Sequence, residues 1–128
     1  TDAKRVRKGI DETLARAPRA GLPVVVIHGT DDGLVPPAFS SAPYVAMAKA
    51  SGRDVAYWQV RNAQHFDAFL ALPDYGARYV PLLPYVYAAL DRVSAHLDDA
   101  SAPLPADAEI AAAARGTAAL SPEHLAIP

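Results

Sequence analysis

Hydrophobic residues change their spacing along this chain, and each spacing predicts an element. Over residues 2–17 (DAKRVRKGIDETLARA), Val6, Ile10, Leu14 and Ala17 recur at helical intervals among charged residues, with Asp2 in capping position. That is the stripe of an amphipathic helix. Gly21 and Pro23 break the pattern, and residues 23–28 (PVVVIH) follow as a short β-branched run. Such a run predicts a parallel strand buried on both faces. Residues 42–50 read as a second helix, with Ser41 as its N-cap, Pro43 in its first turn and Gly52 as its stop. Residues 54–60 (DVAYWQV) read as a second strand, 61–65 as a loop and 66–72 as a short helical turn. Residues 81–97 carry Leu83, Val86, Leu90, Val93 and Leu97 on one helical stripe. From Asp98 the composition shifts to Ala, Pro and Asp, which predicts an extended or partly ordered tail.

The alternation of helices and strands gives the fold class α/β, with a parallel sheet and crossover helices. Two interior-type strands make an incomplete sheet. The expectation is the C-terminal portion of a larger α/β domain over residues 1–98, followed by an Ala/Pro-rich tail over 99–128. The chain starts at Thr1 without an initiator methionine, which reads as an internal start.

Composition narrows the chemistry. The 128 residues carry a net charge of −2, so there is no electrostatic case for nucleic acid or an anionic membrane as partner. There is no cysteine, which excludes disulfides, thiolate nucleophiles and cysteine-ligated metals. No histidine pair has metal-ligand spacing, and neither a metal nor an organic cofactor is expected.

Two loops follow the two strands, where ligands sit in open α/β sheets. The first is HGTDDGLVP, residues 28–36, and the second is NAQHFD, residues 62–67. An acidic residue after one strand and a histidine after the next are the last two members of a Ser/Asp/His triad in hydrolase order. Histidine can take a proton from a serine hydroxyl and return it to a leaving alkoxide. A carboxylate on its other ring nitrogen fixes the tautomer. The candidates are Asp31 or Asp32 as the acid and His65 as the base. His28 reads as structural and Asp67 as a solvated or capping carboxylate, with a substrate contact or a brace of the loop as its other readings. Phe66 and Phe69 read as core or as the wall of an acyl pocket, and Arg61 as a possible partner for a substrate carboxylate.

The loop HGTDDGLVPP resembles the HG-x-x-D-x-x-V-P acid loop of α/β-hydrolase esterases, and alignment on Gly29 and Val35-Pro36 puts the acid at Asp32. The stretches PPAFSSAPYVAM and YWQVRNAQHFDAFLALPDYGARYVPLLPYVYAALD resemble the 3-hydroxybutyrate oligomer hydrolase family from about residue 21 to 97. The resemblance implies an α/β-hydrolase fold and an extracellular esterase cutting D-3-hydroxybutyrate oligomers to monomers. It implies Asp32 and His65 as catalytic residues and a nucleophilic serine in an upstream G-x-S-x-G elbow. None of Ser40, Ser41, Ser51, Ser94, Ser101 and Ser121 has that context, so this chain alone is expected to be inactive and to need the N-terminal part of its domain. Two other readings compete. A tannase or feruloyl-esterase relative would carry a cysteine after the histidine, where this chain has Phe66. A non-catalytic interaction module would keep the two loops as relics.

Overall fold

A computed structural model describes residues 1–128. It holds helices α1 (Asp2–Thr13), α2 (Ser41–Ala50), α3 (Pro73–Arg78) and α4 (Leu83–Asp98), and strands β1 (Val24–Gly29), β2 (Val55–Val60) and β3 (Ala108–Ile110). The strands form one parallel sheet in the order β1-β2-β3. β2 alternates its side chains between two helical layers. Val55 and Tyr57 pack with Val45 and Ala48 of α2. Trp58 and Val60 pack with Tyr85 and Ala89 of α4 and with Ile110 of β3. A central strand with both faces covered explains a sequence that is apolar or aromatic at every position but Gln59.

The third strand is not foreseen by hydropathy, because β3 sits within the Ala/Pro-rich stretch. Its polar neighbours hold it. Asp107 Oδ1 accepts from the Tyr57 amide at 2.9 Å, continuing the ladder with a side chain, and pairs through Oδ2 with Lys49. The Lys49 ammonium and that amide keep the Asp107 carboxyl below its ordinary value. Trp58 Nε1 donates to Ala106 O at 2.9 Å. Further on, Leu125 is buried and its carbonyl accepts from Tyr85 Oη at 2.7 Å. Burial of that phenol pushes its pKa up to about 12. Between residues 106 and 125, Ala108, Ile110, Ala112, Leu120 and Leu125 therefore pack on the core, though most of the stretch has no regular secondary structure.

Three expected details shift. α1 ends at Thr13, where Leu14 turns extended, and Pro18 disfavours helical backbone at Ala17, so the expected helix stops short of residue 17. Ser40, not Ser41, is the N-cap residue of α2, leaving the Ser41 hydroxyl for another role. The α4 stripe that packs inward runs through Tyr85 and Ala89, whereas Leu83, Leu90 and Leu97 are 50%, 59% and 69% exposed. Gly52 does end α2, with φ of +70°.

Candidate active site

The register of the sheet brings the two loops together. Gly29 lies opposite Val60, so β1 and β2 end level and release their loops side by side. Main-chain bonds stitch the loops: Thr30 N donates to Val60 O at 2.9 Å and Asp31 N to Ala63 O at 3.2 Å. Only glycine fits at position 29, since a Cβ there would lie 2.3 Å from Ala63 O.

Asp32 is 5% exposed, and its carboxylate accepts four hydrogen bonds. Oδ1 takes the amides of Leu34 at 2.9 Å and Val35 at 2.8 Å. Oδ2 takes His65 Nδ1 at 2.8 Å and His28 Nε2 at 3.1 Å. Burial alone would raise its pKa, but the Val35 amide, His65, the Leu34 amide and His28 together hold the carboxyl below its ordinary value. Asp31 is exposed and accepts only from its neighbour Thr30 Oγ1 at 2.8 Å. The two adjacent aspartates thus have separate environments, and only Asp32 meets the histidine.

His65 reaches Asp32 because its loop is braced at both ends. Arg61 N donates to Ile110 O at 2.8 Å, and Asn62 turns the chain at φ of +55°, a conformation asparagine tolerates. Asp67 accepts from the amides of Leu82 and Leu83 at 2.8 and 2.9 Å, tying the loop to the start of α4. Asp67 is thus a brace. Arg61 is engaged with Glu109, Nε to Oε1 at 2.6 Å, and is not at the site.

With Nδ1 committed to Asp32, His65 Nε2 has no partner in the chain, and the side chain is 36% exposed. His65 lines a cleft of about 380 Å³ with Gly33, Leu34, Gln64, Phe66, Phe69 and Tyr75. Phe66 and Phe69 are 48% and 46% exposed there, so they are cleft wall and not core. Their rings meet edge to face, His65 on Phe66 at 4.6 Å and Phe66 on Phe69 at 5.6 Å. Gln64 was not foreseeable as a site residue; its Oε1 accepts from the Gly33 amide at 3.3 Å and links the two loops across the cleft. A free imidazole nitrogen backed by a buried carboxylate, beside an apolar cleft, can exchange a proton with a hydroxyl placed there.

None of the six serines hydrogen-bonds to His65. Ser40 Oγ donates to Pro36 O at 2.9 Å. Ser41 Oγ lies 2.6 Å from His28 Nδ1 and 2.6 Å from Tyr57 Oη.

A family profile described as 3HB-oligomer hydrolase matches residues 1–127. The chain is 40% identical over 121 residues to a D-(-)-3-hydroxybutyrate oligomer hydrolase of Paracidovorax citrulli, covering 89% of this chain and 17% of the relative. It is 42% identical over 118 residues to one from a Polaromonas species, covering 90% and 17%. It is 36% identical over 130 residues to one from Cupriavidus necator, covering 98% and 18%. The chain thus spans under a fifth of the length of these relatives. No solved structure matches it.

Proposed function

Because this chain belongs to the 3HB-oligomer hydrolase family, we propose that it supplies the acid and the base of a serine esterase acting on D-3-hydroxybutyrate dimers and oligomers. The observation that carries this reading is the 2.8 Å bond from His65 Nδ1 to the buried Asp32 carboxylate at the carboxyl ends of adjacent parallel strands. In this reading His65 Nε2 takes the proton of a serine hydroxyl as that oxygen attacks the ester carbonyl. It then returns the proton to the departing alkoxide oxygen, leaving an acyl-enzyme. Water repeats the sequence, with His65 as base and then acid, and frees 3-hydroxybutyrate. Asp32 holds the ring so that Nε2 is the nitrogen able to accept.

The serine and the oxyanion donors lie in sequence outside this chain, so the chain alone is inactive. The α/β-hydrolase fold follows from the same reading, with these strands as the C-terminal end of a wider sheet. The open edge of β1 and the exposed leucines of α4 support this, since both lie where further strands and helices would pack. An apolar cleft of about 310 Å³ between β1 and α4, lined by Val24, Val25, Ile27, Val86 and Val93 among others, points the same way.

The test is His65→Ala in the complete polypeptide that carries this segment. The expected result is a fall in kcat on 3-hydroxybutyrate dimer by on the order of 10⁴ or more. A variant that keeps ordinary kcat sinks the assignment.

A further inference from the structure

A second row of hydrogen bonds runs behind the carboxylate, and the mechanism above does not use it. Tyr57 of β2, Ser41 at the start of α2 and His28 at the end of β1 are linked at 2.6 and 2.6 Å, and His28 Nε2 then meets Asp32 Oδ2 at 3.1 Å and Val35 O at 2.9 Å. The direction of these bonds is determined by chemistry. A carboxylate oxygen and a carbonyl oxygen only accept, so Nε2 carries hydrogen. If Nδ1 carried one too, Ser41 would accept from it, and either the Ser41 or the Tyr57 hydroxyl hydrogen would be left without an acceptor in the chain. The arrangement that satisfies every group runs one way: Tyr57 donates to Ser41, Ser41 to His28 Nδ1, and His28 Nε2 to Asp32.

The residues Ser41, His28 and Asp32 have the composition of a triad but not its access. The His28 side chain is 13% exposed, the Ser41 oxygen is shared with Tyr57, and neither residue lines any cleft of the molecule.

We infer that His28 is a positioning residue for the acid–base pair: a neutral ring, locked as its Nε2–H tautomer by Ser41 and Tyr57, that fixes Asp32 Oδ2 toward His65. The inference rests on the assignment of Asp32 and His65 proposed above. A carboxylate turns about Cβ–Cγ as one planar unit, so the His28 donor on Oδ2 adds to the restraint that the two amides place on Oδ1. The carboxylate then presents a fixed lone pair to His65 Nδ1.

Side-chain geometry supplies a discriminating pair of variants. In His28→Gln the amide nitrogen can occupy the place of Nε2 and keep the donor. In His28→Asn it reaches only the place of Nδ1. In the complete polypeptide, His28→Asn is expected to lower kcat on 3-hydroxybutyrate dimer by about 10- to 100-fold with KM within about twofold. His28→Gln is expected to recover most of that loss. Ser41→Ala, which touches neither Asp32 nor the cleft, is expected to lower kcat by about 3- to 10-fold, and it decides the matter should His28→Asn not fold. With ¹⁵N-histidine labelling, His28 should give the shifts of the Nε2–H tautomer, and Ser41→Ala should mix in the Nδ1–H form.

Wild-type kcat in both His28→Asn and Ser41→Ala, in an enzyme that His65→Ala inactivates, overturns the inference and leaves the triad assignment standing. So does an Nδ1–H signal for His28, or covalent labelling of Ser41 by a fluorophosphonate. Activity surviving His65→Ala would instead remove the assignment beneath it, while the tautomer measurement would still report on the His28 row.

Discussion

β1 with its loop and β2 with its loop are built alike and buried in opposite ways. β1 is only half-buried along Val24–His28, yet its loop delivers Asp32 into the interior. β2 is buried at every position but Gln59, yet its loop delivers His65 to an open cleft. Within these 128 residues the strands differ in cover, and it is the placement of the two loop residues that fits what each group must do. A carboxylate that only orients a ring is held best away from water, where hydrogen bonds to it are strongest. An imidazole that exchanges protons with a substrate must keep one nitrogen reachable. The burial of a strand depends on its neighbours in the sheet. The burial of the residue after it depends on how the loop is stitched.

Three measurements press on that contrast. The largest effect is expected from Asp32→Asn in the complete polypeptide. The new amide would direct N–H groups at rings that already donate, and His65 would lose the tautomer that leaves Nε2 free to accept. A fall in kcat on the order of 10⁴ is expected, measured on 3-hydroxybutyrate dimer. A fall of less than tenfold would mean that the buried carboxylate does not act through His65.

Next comes a pair of identical truncations on the two strands. Val60 is 0% exposed in the main cluster, whereas Val26 is partly buried against the α2 cluster. Val60→Ala should destabilise by roughly 2–3 kcal/mol and Val26→Ala by about 1 kcal/mol, read as shifts in urea midpoint. Equal losses would erase the contrast between the strands.

The smallest effect is a pH dependence. The folded Asp32 carboxyl lies below its ordinary value of 3.8, so the unfolded chain takes up that proton first as pH falls. The stability this group contributes is fully present above about pH 4 and is lost as pH drops toward the folded value. The stability gap between wild type and Asp32→Asn should therefore narrow on acidification below pH 4. A gap that widens there would contradict the hydrogen-bonding account of the carboxylate.

Much of this was legible in the sequence. α4 came from apolar spacing, β1 and β2 from short apolar runs, and α2 from its cap and stop residues, while the level ends of β1 and β2 are set by their register. β3 was not legible, because three residues in an Ala/Pro-rich stretch carry no period, and its pairing depends on Asp107 and Trp58 reaching across about 50 positions. The leucine stripe of α4 was legible from its spacing, but not which face of the helix this chain buries. The sheet instead accepts Ala89, which is small, and Tyr85, whose hydroxyl finds the Leu125 carbonyl. Asp32 and His65 could be named from loop position and resemblance. The row behind them could not, since His28, Ser41 and Tyr57 sit on three elements and share no sequence pattern.

The open edge of β1 also bears on handling the chain in solution. Val24–Ile27 present unpaired amides and carbonyls beside β-branched side chains, with no proline, lysine or bulge to blunt them. Isolated from anything that would cover that edge, the chain carries a built-in template for edge-to-edge pairing. Preparations of these 128 residues alone should form soluble aggregates as concentration rises, and a lysine on the open edge should suppress them.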